Sequence, residues 1–167
     1  FMDCDMLCQV DITELLLEIS LQRMKSVLVC QHDYTPTTTT KFLNQPQTAY
    51  PRKNWSSFMV FNNAKCKALT PEYVNAATGL QLHRFTWITD DQIGALPLSW
   101  NHLVGEYAPD PEAKILHYTL GGPWFGQLTE DAEVWLEEWQ AMERCGAVDT
   151  GTVGAYAALQ GVSDHVR

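Results

Sequence analysis

Phe1-Met2-Asp3-Cys4-Asp5-Met6 is the stretch on which the rest of the chain turns, an apolar run carrying two carboxylates one residue apart. It reads as the end of a buried strand that delivers both acids into one site. Hard divalent cations take oxygen ligands, and an Asp-x-Asp pair sets two of them within reach of one ion. A solvated strand end is the alternative, and the apolar Phe-Met-x-Cys context argues against it. The chain starts in this element without a Met before it, which predicts a piece of a longer protein whose earlier part is missing.

Working outward, Asp11 and Glu14 fit a capping box, and Ile12, Leu15, Leu16 and Ile19 share one helical face, predicting a helix over 12–24. Val27-Leu28-Val29-Cys30 then reads as a buried strand, so the order strand, helix, strand predicts an α/β fold. From 34 to 53 the composition shifts to Thr, Pro, Gln and Asn, a long loop that serves as a lid or binding loop or is a disordered excursion. Trp55–Phe61 (WSSFMVF) reads as a second core strand. Thr70 and Pro71 start a short helix that Gly79 can end. Leu82–Ile88 is read as a strand leading into Thr89-Asp90-Asp91-Gln92. Lys114–Thr119 is a further strand, broken by Gly121-Gly122-Pro123. Thr129, Glu130 and Asp131 suit a helix start, with Ala132, Trp135, Trp139 and Met142 as its apolar stripe. Residues 1–145 are thus expected to form one domain, and 146–167 a flexible tail.

The 167 residues suit one domain, and a net charge of -9 argues against a surface that neutralises nucleic-acid phosphates. Five cysteines at irregular spacing fit neither a zinc ribbon nor a disulfide framework. Reduced thiols, and with them a cytoplasmic location, are the simplest expectation. No apolar run approaches the ~18 residues of a membrane span.

Three stations of acid or imidazole follow predicted strands: Asp3/Asp5, Asp90/Asp91 and His117. In open α/β sheets ligands gather at the carboxyl ends of strands, so the three are expected to converge. Two carboxylates and a neutral imidazole suit Mn²⁺, or Mg²⁺ with more water. His117 taken alone reads as a satisfied core histidine, and Asp90/Asp91 are equally readable as caps of the turn before Ile93-Gly94.

Together these residues resemble a known family. FMDCDM is similar to the Asp-x-Asp strand of nucleotide-sugar glycosyltransferases with the GT-A fold, and HYTLGGPW to the late His-Gly-Pro-Trp motif of glycosyltransferase family eight. Between them, DDQIGALPLSWN resembles that family's Asp-Gln segment and the Leu-Pro-x-x-Trp/Tyr-Asn stretch after it. The resemblance spans about residues 1 to 125. It implies a partial GT-A mixed sheet with flanking helices, lacking the nucleotide-binding half that precedes the Asp-x-Asp strand. It also implies transfer of a sugar, with retention, from a nucleotide diphosphate donor such as a UDP-sugar to a glycan or other hydroxyl acceptor. Asp3, Asp5 and His117 would hold Mn²⁺ against the diphosphate, beside Gly121, Gly122 and Trp124. Asp91 and Gln92, with Asp90 as the competing assignment, would face the donor sugar, and Trp55, Ser56 and Ser57 would line its pocket. The sequence departs from the pattern where Gly122 replaces the Lys before Pro-Trp that contacts the diphosphate; Arg52 or Lys53 are the candidate substitutes. Two alternatives remain open, a sugar-nucleotide nucleotidyltransferase and a non-catalytic binding module of the same fold.

Overall fold

The computed structural model describes residues 1–125, 129 and 131–146. In chain order the elements are β1 (Met6–Cys8), α1 (Leu15–Leu21), β2 (Val27–Cys30), β3 (Thr40–Lys41), β4 (Gln45–Pro46), β5 (Met59–Phe61), α2 (Pro71–Ala76), α3 (Gly79–His83), β6 (Ile93–Leu96), β7 (His102–Leu103), β8 (Ile115–His117) and α4 (Ala132–Arg144). Two three-stranded mixed sheets form the frame, in the orders β5-β2-β6 and β1-β8-β7. The first has β2 antiparallel to β5 and parallel to β6, and the second has β8 antiparallel to β1 and parallel to β7. The expected α/β class is borne out at this level.

All four residues of β2 are buried, as the central strand of a sheet covered on both faces requires. One face joins Leu28 and Cys30 to Phe58, Leu96, Trp100 and Ile115, which bridges the two sheets. The other joins Val27 and Val29 to Phe85 and Ile93. Trp100 is 1% exposed, and burial of a side chain of this size contributes roughly 2–3 kcal/mol. A third cluster, Val104, Ala113, Leu116 and Tyr118, is covered by Trp124 and by Val134 and Trp135 of α4. The predicted stripe on α4 divides accordingly: Ala132 is buried and Trp135 packs on the cluster, while Met142 is exposed.

Several boundaries differ from expectation. The strand at the chain's start is β1, which follows the acids; Phe1 to Asp3 instead run beside β5, through Phe1–Met59 and Asp3–Ser57 backbone hydrogen bonds. The predicted helix over 12–24 is a 3-10 turn, Ile12–Glu14, and the seven residues of α1. Asp11 caps it by accepting from the Thr13 N–H at 2.9 Å, so the Glu14 half of the expected box is not used. The first half of WSSFMVF, Trp55–Ser57, is a 3-10 turn entered through a left-handed Asn54. Gly79 begins α3 instead of ending α2, because Thr78 and Gln81 close a capping box around it. That helix consumes the start of the predicted Leu82–Ile88 strand. The remainder turns at Phe85, whose φ of 56° no strand accommodates, and its aromatic side chains enter the core without a ladder partner. The 34–53 loop carries the β3–β4 hairpin. Of the expected tail, residues from 147 onward lie outside the described residues.

Candidate metal centre

β8 ends on His117, and β1 begins one residue after Asp5, with Met6 paired to His117 across the antiparallel ladder. The Tyr118 N–H donates to the Asp5 carbonyl and so extends this pairing past the acid. The carboxyl end of one strand and the entry to the next are therefore the same place. Asp3 is anchored beside it by its N–H to the Ser57 carbonyl at 2.9 Å. One ligand atom each from Asp3, Asp5 and His117 lie within 4.8 Å of one another. The structure thus gathers all three residues expected to hold a metal.

The electrostatics fit two acids that compete for one site. Burial would raise the Asp5 carboxyl, but the neighbouring His117 ring, in its protonated form, outweighs this and holds it below the ordinary range. Asp3 lies above the ordinary range, raised by burial and by the charge of Asp5 against the opposing pull of His117, His83 and Lys41. Neighbouring like charges that split in this way are relieved by a shared cation.

His117 Nε2 is 3.5 Å from Asp5 Oδ1, and its Nδ1 is 2.9 Å from Asn101 Oδ1. Asn101 is fully buried and also donates through Nδ2 to Ser57 Oγ at 2.9 Å and to the Asn54 carbonyl at 3.2 Å. A ring held through Nδ1 leaves Nε2 toward the acids, which is the arrangement a ligating histidine needs. On donor set and orientation, the residues present fit a divalent ion.

Beside the triad is a hollow of about 400 Å³, lined by Asp3, Cys4, Asp5, Phe42, Tyr118, Gly121, Trp124 and Phe125. The β3–β4 hairpin supplies Phe42, which stacks on Phe125 with ring centres 4.9 Å apart and whose N–H donates to the Leu120 carbonyl. Gly121, at φ 109°, allows this approach, since a Cβ there would meet Phe42 Cβ at 2.6 Å. At Gly122 a Cβ would meet the Trp124 ring at 2.1 Å. The indole therefore occupies the space that a side chain at 122 would enter. Arg52 is no substitute, being committed to Asp90 Oδ1 and the Arg84 carbonyl. Lys53 is buried, its pKa lowered chiefly by that burial, with its Nζ 5.0 Å from the centre of the Tyr50 ring. Lys41, which the sequence reading passed over, has its Nζ 5.3 Å from the centre of the Phe42 ring, and its charge is the smallest of the influences on Asp3 and Asp5.

No family model matches the chain, and no solved structure matches it. The chain is similar to Protein CDI of Arabidopsis thaliana. The two are 47% identical over 148 residues, which cover 83% of this chain and 56% of that protein. The chain thus spans about half the length of the curated relative it matches.

The other predicted positions fare differently. Ser57 reaches the centre, one hydrogen bond from Asn101. Ser56 shares a 2.7 Å hydrogen bond with His83 Nδ1. The Trp55 indole donates to the His32 carbonyl at 2.8 Å and packs on the core around Phe85, so its ring is structural. Asp90, Asp91 and Gln92 form a 3-10 turn at the amino end of β6, whereas His117 closes the carboxyl end of β8. Asp90 is exposed and paired with Arg52, the Asp91 carbonyl accepts from Lys25 Nζ, and Gln92 Oε1 accepts from the Thr89 N–H. The cap of this turn is the box between Thr89 and Gln92, so neither acid fills the capping role left open for it, and neither joins the triad. Asn101 and Phe42 are the site residues the sequence did not disclose. Asn101 closes the Leu-Pro-x-x-Trp-Asn stretch, and that position was its one available signal.

Proposed function

We propose that the protein is a metal-dependent retaining glycosyltransferase with a GT-A-like fold, transferring a sugar from a nucleotide diphosphate donor such as a UDP-sugar to an acceptor hydroxyl. The observation that carries the reading is the meeting of Asp3, Asp5 and His117, more than a hundred positions apart in the chain, with ligand atoms within 4.8 Å of one another. These three residues would hold Mn²⁺ or Mg²⁺. When bound, the ion supplies positive charge against the departing diphosphate. Lys41, beside the Phe42 that lines the hollow, would add a positive charge toward the donor's phosphates, since position 122 carries no Lys. Phe42, Trp124 and Phe125 present apolar ring faces to a bound ligand and exclude water from the diphosphate.

The test is Mn²⁺-dependent turnover of nucleotide sugars by the wild type and by the Asp3→Asn and Asp5→Asn variants. Release of nucleoside diphosphate is expected, with a loss of at least about 100-fold in either variant. Unchanged turnover in the variants overturns the metal role. Release of pyrophosphate from a nucleoside triphosphate would establish nucleotidyl transfer instead, and Mn²⁺ and UDP binding without turnover a binding module.

A further inference from the structure

We propose that Asn101 is the positioning residue of this centre, fixing His117 in the tautomer that leaves Nε2 free to ligate, an inference that rests on the metal reading above. A neutral imidazole has one N–H and one lone pair, and the partner of one nitrogen decides what the other offers. At His117 that partner is Asn101 Oδ1, 2.9 Å from Nδ1.

The amide itself cannot turn over. Its Nδ2 donates to the Asn54 carbonyl at 3.2 Å and to Ser57 Oγ at 2.9 Å. The Ser57 hydroxyl has already given its proton to the Asn54 carbonyl at 2.7 Å. A reversed amide would set Oδ1 against that carbonyl, two acceptors facing each other. With Asn101 0% exposed, water cannot repair the mismatch. Oδ1 therefore faces His117, and Nδ1 carries the hydrogen. The same Ser57 accepts the Asp3 N–H on its carbonyl oxygen at 2.9 Å. One buried amide thus ties the imidazole ligand to the backbone of an acid ligand more than a hundred positions away in the chain.

Long-range ¹H–¹⁵N spectra of the metal-free protein, in the alkaline range where they no longer change with pH, report the tautomer directly. Comparison with His117→Gln assigns the signals. The Nδ1–H form is expected, and an Nε2–H form donating to Asp5 overturns the proposal. Asn101→Leu keeps the volume and removes the acceptor. It should convert His117 to Nε2–H and weaken Mn²⁺ binding, followed by the resonance signal of free Mn²⁺, by about 10- to 100-fold. A folded Asn101→Leu protein with the wild-type tautomer and affinity overturns the proposal. Should that variant fail to fold, Ser57→Ala frees the amide from one of its two restraints. A several-fold loss of Mn²⁺ affinity is then expected, and no change in affinity or tautomer overturns the proposal. A wild type that binds no Mn²⁺ fails the metal reading, whereas the metal-free spectrum judges Asn101 alone.

Discussion

His32 is almost fully buried beside Tyr34 and Tyr107, with Nδ1 2.9 Å from the Tyr107 hydroxyl and Nε2 without a hydrogen-bond partner among the described residues. Burial pushes its pKa down to about 3, with the charges of His117 and His102 adding to the effect. An unfolded chain takes up this proton near pH 6.5, and the folded one does not. The stability contribution is therefore full above about pH 6.5 and declines as the pH falls toward the folded value, by up to about 1.4 kcal/mol per unit. Urea unfolding is expected to show about 2 kcal/mol less stability near pH 5 than near pH 7. His32→Gln should remove most of that difference, and an undiminished difference in the variant would assign the proton elsewhere. Of the site residues, Asp3, Asp5 and His117 were legible because their chemistry is rare in an apolar context. Asn101 was not, since an amide acquires a role only from what surrounds it.

The β3–β4 hairpin shows how an element escapes sequence reading. Its strands are two residues each, with Leu43 and Asn44 in left-handed conformations between them, so no apolar alternation marks it. What holds it is the stacking of Phe42 on Phe125 and its hydrogen bond to Leu120, both partners far along the chain. This docking carries Lys41, whose Nζ stands 5.3 Å from the centre of the Phe42 ring, to the rim of the hollow that Phe42 lines. If the hairpin supplies the charge that position 122 lacks, Lys41→Ala should raise the KM for the donor by roughly 3- to 10-fold with kcat little changed, as expected for loss of uniform binding. Steady-state kinetics at low and high salt check this, the effect shrinking as salt screens the charge. An unaltered KM would exclude Lys41 from donor binding. The Leu82–Ile88 segment was misread for the converse reason. Its apolar residues do enter the core, but the capping box at Thr78 commits the preceding chain to a helix before a strand can begin.

Across the whole molecule, the candidate centre ties the first residues to β8 and, through Asn101 and Ser57, one sheet to the other. An ion held there would bind the folded state and not the unfolded one, so Mn²⁺ at about 100 times its Kd should stabilise the protein by about 2.7 kcal/mol, or roughly 5–10 °C in Tm. Calorimetry with and without Mn²⁺ measures this, and Asp5→Asn should abolish the shift; a shift that survives in the variant would place the ion elsewhere. What the sequence by itself determined is the α/β class, the buried Val27–Cys30 strand and the identity of the acids and imidazole, because β-branched runs and Asp-x-Asp pairs have local physical causes. Only the tertiary structure decided which of three acidic or imidazole stations meet. Asp90 and Asp91 are chemically equal to Asp3 and Asp5, yet they stand in the turn at the amino end of their strand, where Asp90 pairs with Arg52. Which acids meet the imidazole is set by strand direction and pairing register, which are long-range contacts with no signature in local sequence.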